Sequence, residues 1–275
     1  MPRRTDVIYR YDGSFEGLLC CVYRSYYERE LPAGIESAGA EQMQLYAAID
    51  VETDIAHSAR VARAIREKIS PQAYGLVRRA YFTCLEEREM HILRFLRLGF
   101  AKGGAVMQMT ADARVNIIYR AVRNLALEKD HMSGFLRFSD YGGILFAQIE
   151  PKNDLLPLMA AHLRSRFGGE KYVVYDRAHG RALVHGDGTD ALIELDGFEP
   201  PPADGAERHI RGLWRRLYDT VAVEGRENPR CRMSHMPKRF WKNMTEFQNE
   251  KDSPERTALA SDTVLQLLQL GEPKL

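Results

Sequence analysis

Residues 171–195 read KYVVYDRAHGRALVHGDGTDALIEL, and this stretch decides the fold. Short runs rich in β-branched, aromatic and other apolar residues predict three strands, at Tyr172–Asp176, Arg181–His185 and Ala191–Leu195. The connections between these strands are short and contain turn residues such as His179-Gly180 and Asp187-Gly188. Because short connections join antiparallel strands, the stretch predicts an antiparallel β-meander and not a doubly wound sheet.

The segments on either side of the meander predict helices packed against it. Phe135–Phe138 and Ile144–Glu150 predict a hairpin around Asp140-Tyr141-Gly142-Gly143, and Asp154–Phe167 predicts a capped helix. A further helix is predicted at Ala206–Val223. We expect its apolar side chains to point inward, namely Ile210, Leu213, Trp214, Leu217 and Val221.

The N-terminal half is predicted to be mostly helical, with short strands at Val7–Tyr11 and Met43–Val51. Ser14 is expected to cap the first helix, and Thr53 or Asp54 the second. The fold class is therefore α+β, with a helix-rich N-terminal half and an antiparallel meander with packed helices in the C-terminal half. We expect three regions: a helical region 1–132, an α+β region 133–247, and a polar tail 248–275 with a short apolar end.

Composition excludes several classes of protein. The chain has 275 residues, a formal net charge of +1 and 45% hydrophobic residues, as in an ordinary globular protein. Its longest apolar runs, such as Gly143–Ile149, are too short to span a membrane, and no apolar run follows the basic N-terminus. We therefore expect a cytoplasmic protein with no membrane partner.

The four cysteines predict neither a metal site nor a cofactor. Cys20, Cys21, Cys84 and Cys231 lack the spacing of a zinc ribbon, a redox pair or an iron–sulfur centre. We expect buried, reduced thiols. The glycine-rich turns match no nucleotide-binding fingerprint, so no cofactor is expected.

Positive charge is concentrated near the C-terminal end of the α+β region. Between Arg208 and Lys242 there are ten Lys or Arg residues and three acidic residues, a local charge of +7 in a chain of net +1. Three aromatic residues lie among or just after these cations, namely Phe240, Trp241 and Phe247. Since cations bind phosphates and aromatic faces stack on bases, this pattern predicts a nucleic-acid-binding surface. The candidate contact residues are Arg230, Arg232, Lys238, Arg239, Trp241 and Lys242. The alternative is a solvated helix face with Phe240 and Trp241 packed inward.

Three motifs in this order resemble a bacterial family assigned to DNA metabolism or DNA repair, whose C-terminal part is a domain of unknown function numbered 4130. The motifs are YDGSFEGLLC at 11–20, EKDHMSGFLRF at 128–138 and MPKRFWKNMTEF at 236–247. One departure from the family pattern is Phe240, where a tyrosine is expected. The resemblance implies DNA as a partner, together with a separate radical S-adenosylmethionine protein that would carry the radical chemistry. Since some relatives are fused to a uracil-DNA glycosylase-like domain, such a protein is a further candidate partner.

No complete catalytic motif is present, so whether the protein is an enzyme stays open. His131 and Arg137 could together bind a phosphate or a base. Arg137 is predicted to share a strand face with Phe135. The alternative is that Arg137 forms a buried salt bridge to an acid such as Asp176. Asp176 is predicted to end a strand, where functional side chains often project. His235 precedes the aromatic pair and could act as a general acid or base, or have only a structural role.

Three functions remain open at this point. The first is a DNA-binding accessory protein in DNA repair, acting beside a radical S-adenosylmethionine enzyme. The second is a metal-independent enzyme that acts on damaged or modified nucleotides, which requires at least two of the four candidate catalytic residues to meet in one pocket. The third is a protein–protein interaction module.

Overall fold

The computed structural model describes residues 3–4, 6–37, 46–199, 205–223 and 228–247. The chain forms two compact units that divide after Ala126. The strands are β1 (Arg3–Arg4), β2 (Val7–Tyr11), β3 (Glu30–Leu31), β4 (Gly34–Ser37), β5 (Ala47–Asp50), β6 (Ser139–Asp140), β7 (Ile144–Ile149), β8 (Lys171–Asp176), β9 (Arg181–Gly186) and β10 (Thr189–Glu194). The helices are α1 (Phe15–Tyr27), α2 (Ile55–Lys68), α3 (Pro71–Tyr81), α4 (Arg88–Lys102), α5 (Ala113–Phe135), α6 (Leu156–Phe167), α7 (Gly205–Val221) and α8 (Pro229–His235). Short 3₁₀ helices occur at Gly103–Gln108, Lys238–Asn243 and Thr245–Phe247.

The first unit is helix-rich around a small parallel sheet. Strand β2 lies between β4 and β5 and pairs in parallel with both. As predicted, the Ser14 side chain caps α1 by accepting a hydrogen bond from the Gly17 amide at 2.9 Å, and Asp54 caps α2. Helices α1–α4 bury their apolar stripes together, with Leu18, Ile65 and Leu93 fully buried.

The second unit contains a five-stranded sheet in the order β10-β9-β8-β7-β6. The predicted meander β8-β9-β10 is confirmed, and each of its pairs is antiparallel. The reversal between β9 and β10 is a two-residue turn, and both Asp187 and Gly188 have positive φ, as tight hairpins require. One pair, β7 with β8, is parallel because α6 connects them as a crossover.

Two predictions in the second unit are wrong. The segment Phe135–Phe138 was predicted to be a strand, but α5 continues to Phe135, and β6 is only Ser139–Asp140. Arg137 therefore does not share a strand face with Phe135.

The second error concerns α7, whose apolar side chains were expected to be buried. The exposed fractions are instead 58% for Ile210, 49% for Leu213, 41% for Trp214, 53% for Leu217 and 68% for Val221. The helix contacts the rest of its unit through Glu207 and Arg211, and through Trp214 and Tyr218, which contact Glu246 and Phe247.

No helix in the described ranges combines the length and the apolar character needed to cross a lipid bilayer. The predicted tail, 248–275, and part of the predicted strand Met43–Val51 lie outside the described residues.

Candidate nucleic-acid interface

The basic segment folds as a short helix followed by 3₁₀ turns. Asn228 caps α8, its side chain accepting a hydrogen bond from the Cys231 amide at 3.0 Å. The helix ends at His235, two residues before Pro237, which disfavours further helix. Residues 228–243 include five Lys or Arg residues and no acidic residue. Their positive charge must therefore be balanced by other segments, by solvent or by a ligand.

One side chain anchors this segment to α5. Phe240 is only 4% exposed, and its ring lies 5.7 Å from the His131 ring and 5.4 Å from the Phe135 ring, measured between centroids. Met244 is also buried. Aromatic pairs at these distances add to the hydrophobic contribution of the buried rings.

Three ion pairs hold the same segment to its unit. Arg239 lies 3.1 Å from Glu128, Lys242 pairs with Glu150, and Glu246 pairs with Arg137 at 2.7 Å. The second and third motifs identified in the sequence are thus adjacent in space, because two of these pairs and the Phe240 contacts join 128–138 to 236–247. We infer that much of both motifs is needed for the fold.

Glu128 is one of two deeply buried carboxylates in these pairs, the other being Glu246. The Glu128 side chain is 3% exposed, and its carboxylate accepts hydrogen bonds from the amides of Lys152 and Asn153 and from the Asn153 side chain, at 3.2, 2.9 and 2.6 Å. Arg239 provides a fourth contact, so these partners together offset the cost of burying the negative charge of Glu128.

Five of the six predicted nucleic-acid contacts are cations, and they fall into two groups. Arg239 and Lys242 are neutralised by acidic partners in the same unit. Arg230, Arg232 and Lys238 are exposed, and within the described residues no carboxylate lies at ion-pair distance from any of them. We call these three residues the free cations.

Trp241, the sixth predicted contact, belongs to an aromatic cluster. Its ring stacks on Phe247 with centroids 4.4 Å apart, and its indole N–H donates to the Met236 carbonyl at 3.0 Å. The Arg232 guanidinium and the Lys238 ammonium lie 5.5 and 5.8 Å from the ring centroid. These cation–π distances place two of the free cations around one half-buried tryptophan.

A cleft between α7 and α8 escaped the sequence analysis. It has a volume of about 760 Å³ and is lined mainly by apolar and aromatic side chains, including Trp214, Leu217, Tyr218 and Val221 on α7 and Pro229 and Arg232 on α8. The hydrophobic periodicity of α7 was the signal that could have found it, but that periodicity was interpreted as a buried face. The cleft has the size and apolar character typical of ligand sites.

Each of the four candidate catalytic residues has other partners in the structure. His131 stacks on Phe135, and Arg137 forms a two-pronged pair with Glu246. Burial by itself raises the pKa of the Glu246 carboxyl, but the hydrogen bonds from Arg137 outweigh it and lower the pKa below its usual value. Arg137 therefore forms a salt bridge, which was the alternative to a ligand-binding role, but its partner is Glu246 and not Asp176.

The other two candidates also have partners of their own. Asp176 is fully buried, accepts hydrogen bonds from the Ala178 and His179 amides, and lies 2.7 Å from His179 Nδ1. His235 is exposed, and its Nδ1 lies 3.0 Å from the Cys231 carbonyl oxygen. Among the described residues, none of the four candidates hydrogen-bonds, pairs or stacks with another.

The cysteines follow the prediction only in part. Cys20 and Cys21 are buried and reduced as expected, and burial raises the pKa of both thiols. Cys84 and Cys231 are exposed, contrary to the prediction of buried thiols. The described part of the chain has no group of three or more His, Cys, Asp or Glu residues arranged to hold a metal ion.

The first motif, at 11–20, forms the carboxyl end of β2 and the start of α1. The Asp12 carboxylate accepts hydrogen bonds from the Ser14 hydroxyl at 2.6 Å and the Thr53 hydroxyl at 2.8 Å. Partial burial opposes ionisation, but these hydrogen bonds prevail and lower the pKa of Asp12. A Cβ at Gly17 would overlap the side chains of Asp12 and Thr53, which explains a glycine inside this helix. Through the hydrogen bond between Thr53 and Asp12, the motif thus links the carboxyl end of β2 to the segment that follows the parallel strand β5.

Residues 86–246 match the model of a family described as a domain of unknown function, DUF4130, and the match covers more than half of the chain. No curated protein and no solved structure matches the chain.

Proposed function

The chain belongs to the DUF4130 family, and we propose that it is a DNA-binding accessory protein whose contact surface is formed by α8 and the 3₁₀ helix that follows it. The observation that carries this proposal is the group of free cations, Arg230, Arg232 and Lys238, on a segment without acidic residues. The adjacent exposed and half-buried aromatic rings support it.

The electrostatic argument depends on which cations are available to a ligand. Arg239 and Lys242 already have carboxylate partners, so binding a phosphate would require them to exchange one anion for another. The three free cations need no such exchange, and each phosphate they neutralise releases condensed counterions from DNA. We therefore assign phosphate contacts chiefly to the free cations, and a supporting role to Arg239 and Lys242.

The aromatic argument concerns Trp241 and Trp214. Trp241 carries two of the free cations near its ring, and Trp214 is 41% exposed in the neighbouring cleft. A surface that combines available cations with accessible aromatic rings suits a polyanion whose bases can stack.

Fluorescence anisotropy with a labelled oligonucleotide tests the proposal. Replacing Arg230, Arg232 and Lys238 together by alanine should weaken DNA binding at least tenfold at low salt, since phosphate contacts dominate such affinities. A matched control replaces Arg63, Arg78 and Arg79, exposed residues of the first unit, and so removes the same charge from another surface. Equal affinities of the two triple variants would contradict the assigned surface.

The proposed partnership with a second enzyme is supported by the motif resemblance alone. The resemblance implies a role beside a radical S-adenosylmethionine enzyme, with a uracil-DNA glycosylase-like protein as a further candidate partner. Purification of the tagged full-length protein from its native cells, with and without nuclease, tests this part. An iron–sulfur enzyme that remains bound after nuclease treatment supports the partnership, whereas its absence in both samples contradicts it.

A further inference from the structure

The face of α7 that the sequence analysis expected to be buried is an exposed apolar surface. Ile210, Leu213, Leu217 and Val221 are each about half exposed or more, and Trp214 lies beside them. Because apolar surface is more stable when it is removed from water, a contiguous exposed apolar face indicates a binding surface.

Part of this face, namely Trp214, Leu217 and Val221, forms one wall of the cleft between α7 and α8. The indole ring of Trp214 is fixed at one edge, because its N–H donates to Glu246 at 3.2 Å. Asp219 and Arg232 bring one charge of each sign to the lining, and Arg230 adds a second exposed cation on α8. A ligand that fills the cleft therefore needs a flat apolar part for the walls and an anionic part for the cations of α8.

An intact DNA duplex meets only the second requirement. It presents phosphates and the polar edges of its bases, while the flat faces of the bases are stacked on one another inside the double helix. Single strands expose those faces, and proteins that bind them combine a cationic track with aromatic side chains for stacking.

We propose that the cleft between α7 and α8 binds unpaired bases of single-stranded DNA, with one base stacked on Trp214 and the backbone following the free cations. This inference rests on the proposed DNA-binding function and narrows its ligand. The lining of the cleft includes Asp219, Asn228 and Arg232, whose side chains can hydrogen-bond to a ligand. Because every base has a face that can stack on an aromatic ring, binding should depend little on base sequence.

The two tryptophans of the chain make a direct test possible. In a Trp241→Phe variant, Trp214 is the single tryptophan, so its fluorescence reports on the cleft. Adding a 20-nucleotide thymidine oligomer should quench that fluorescence in a saturable way, whereas an abasic oligomer of the same length and charge should not. Affinity for the thymidine oligomer should exceed that for a 20-base-pair duplex at the same salt by about tenfold, as expected from one stacked base.

Substitutions in the cleft provide the matched comparison. Trp214→Ala should weaken single-strand binding about tenfold and leave duplex binding unchanged, while Trp214→Phe, which keeps a ring, should retain most of the affinity. Because Trp214 is 41% exposed, neither change is expected to unfold the protein, and circular dichroism checks this.

The possible failures of this inference and of the proposed function can be told apart. If single-stranded and duplex DNA bind equally and both affinities fall in the free-cation variant, the base-binding inference fails and the DNA-binding function stands. If neither DNA binds, both fail. If Trp214 fluorescence is insensitive to DNA but changes with protein concentration, and Leu217→Asp abolishes self-association, the face is an interface between two copies and the inference is overturned.

Discussion

The Arg239 guanidinium lies 3.1 Å from the Glu128 carboxylate, which is 3% exposed and also accepts three hydrogen bonds from Lys152 and Asn153. This ion pair joins a residue near the end of the described chain to α5. It explains why one of the cations predicted to contact DNA has a structural role instead of being free for a ligand.

The two members of this pair should differ in their contribution to stability. Glu128→Ala leaves two backbone amides and the Asn153 side chain without their acceptor, so we expect a loss of about 2–4 kcal/mol in the free energy of unfolding. Arg239→Ala leaves the carboxylate with its three other partners, and Arg239 itself is 44% exposed, so about 1 kcal/mol is expected. Urea denaturation of both variants measures the difference. A larger loss for Arg239→Ala would contradict this description of the pair.

Phe240 should be the main hydrophobic anchor of the basic segment. Phe240→Ala removes a ring that is 4% exposed and packed against His131 and Phe135, and we expect about 3–4 kcal/mol of destabilisation. Tyr218→Ala, which removes a half-buried ring that contacts Phe247, provides a comparison and should cost clearly less. Thermal unfolding followed by circular dichroism measures both changes, and similar melting temperatures for the two variants would argue against the anchor.

The His179–Asp176 pair should make stability depend on pH. The hydrogen bond to Asp176 raises the pKa of His179, although burial opposes it, and Asp154 adds attraction while Arg181 opposes it. Because the folded state holds the proton more tightly than the unfolded state, this stabilisation is full below the unfolded pKa of about 6.5 and is lost as pH rises through the folded pKa.

His179→Gln tests this linkage. The variant should be less stable than the wild type at pH 5.5, and the gap should shrink as pH rises through the folded pKa, when melting temperatures are compared across the range. Mutation of the exposed His162 controls for the general loss of a histidine. A gap that grows with rising pH would contradict the sign of the effect.

Two glycines of the meander should respond differently to the same change. Gly180 and Gly188 both have positive φ, 61° and 78°, so alanine should cost about 1–2 kcal/mol at either position. A Cβ at Gly180 would also overlap the Asp196 carboxylate, whereas a Cβ at Gly188 meets no atom within 4 Å. Gly180→Ala should therefore destabilise the protein more than Gly188→Ala in urea denaturation. Equal losses would mean that Asp196 moves away without cost.

The sequence predicted much of the fold because the local signals agree with the three-dimensional contacts. The strands β8, β9 and β10, the caps at Ser14 and Asp54, and the order of the helices all follow from spacing and turn residues. The extension of α5 to Phe135 was missed, since the aromatic residues at 135–138 favour a strand locally and tertiary packing on Phe240 favours the helix.

The candidate site was less predictable for two physical reasons. A cluster of cations in sequence does not show which of them meet carboxylates, and the partners of Arg239 and Lys242 are 111 and 92 residues away. An apolar helical stripe also looks the same whether it faces a core or a binding cleft, so the exposed face of α7 was assigned to the core. Both errors concern long-range contacts, which periodicity does not encode.

The salt dependence of DNA affinity tests the central claim most directly. Each phosphate contact to single-stranded DNA contributes about 0.7 to the slope of log affinity against log salt concentration. Replacing the free cations, Arg230, Arg232 and Lys238, by alanine should therefore reduce the slope by about 2, and replacing Arg63, Arg78 and Arg79 should leave it unchanged. Identical slopes for the wild type and the free-cation variant would contradict the account.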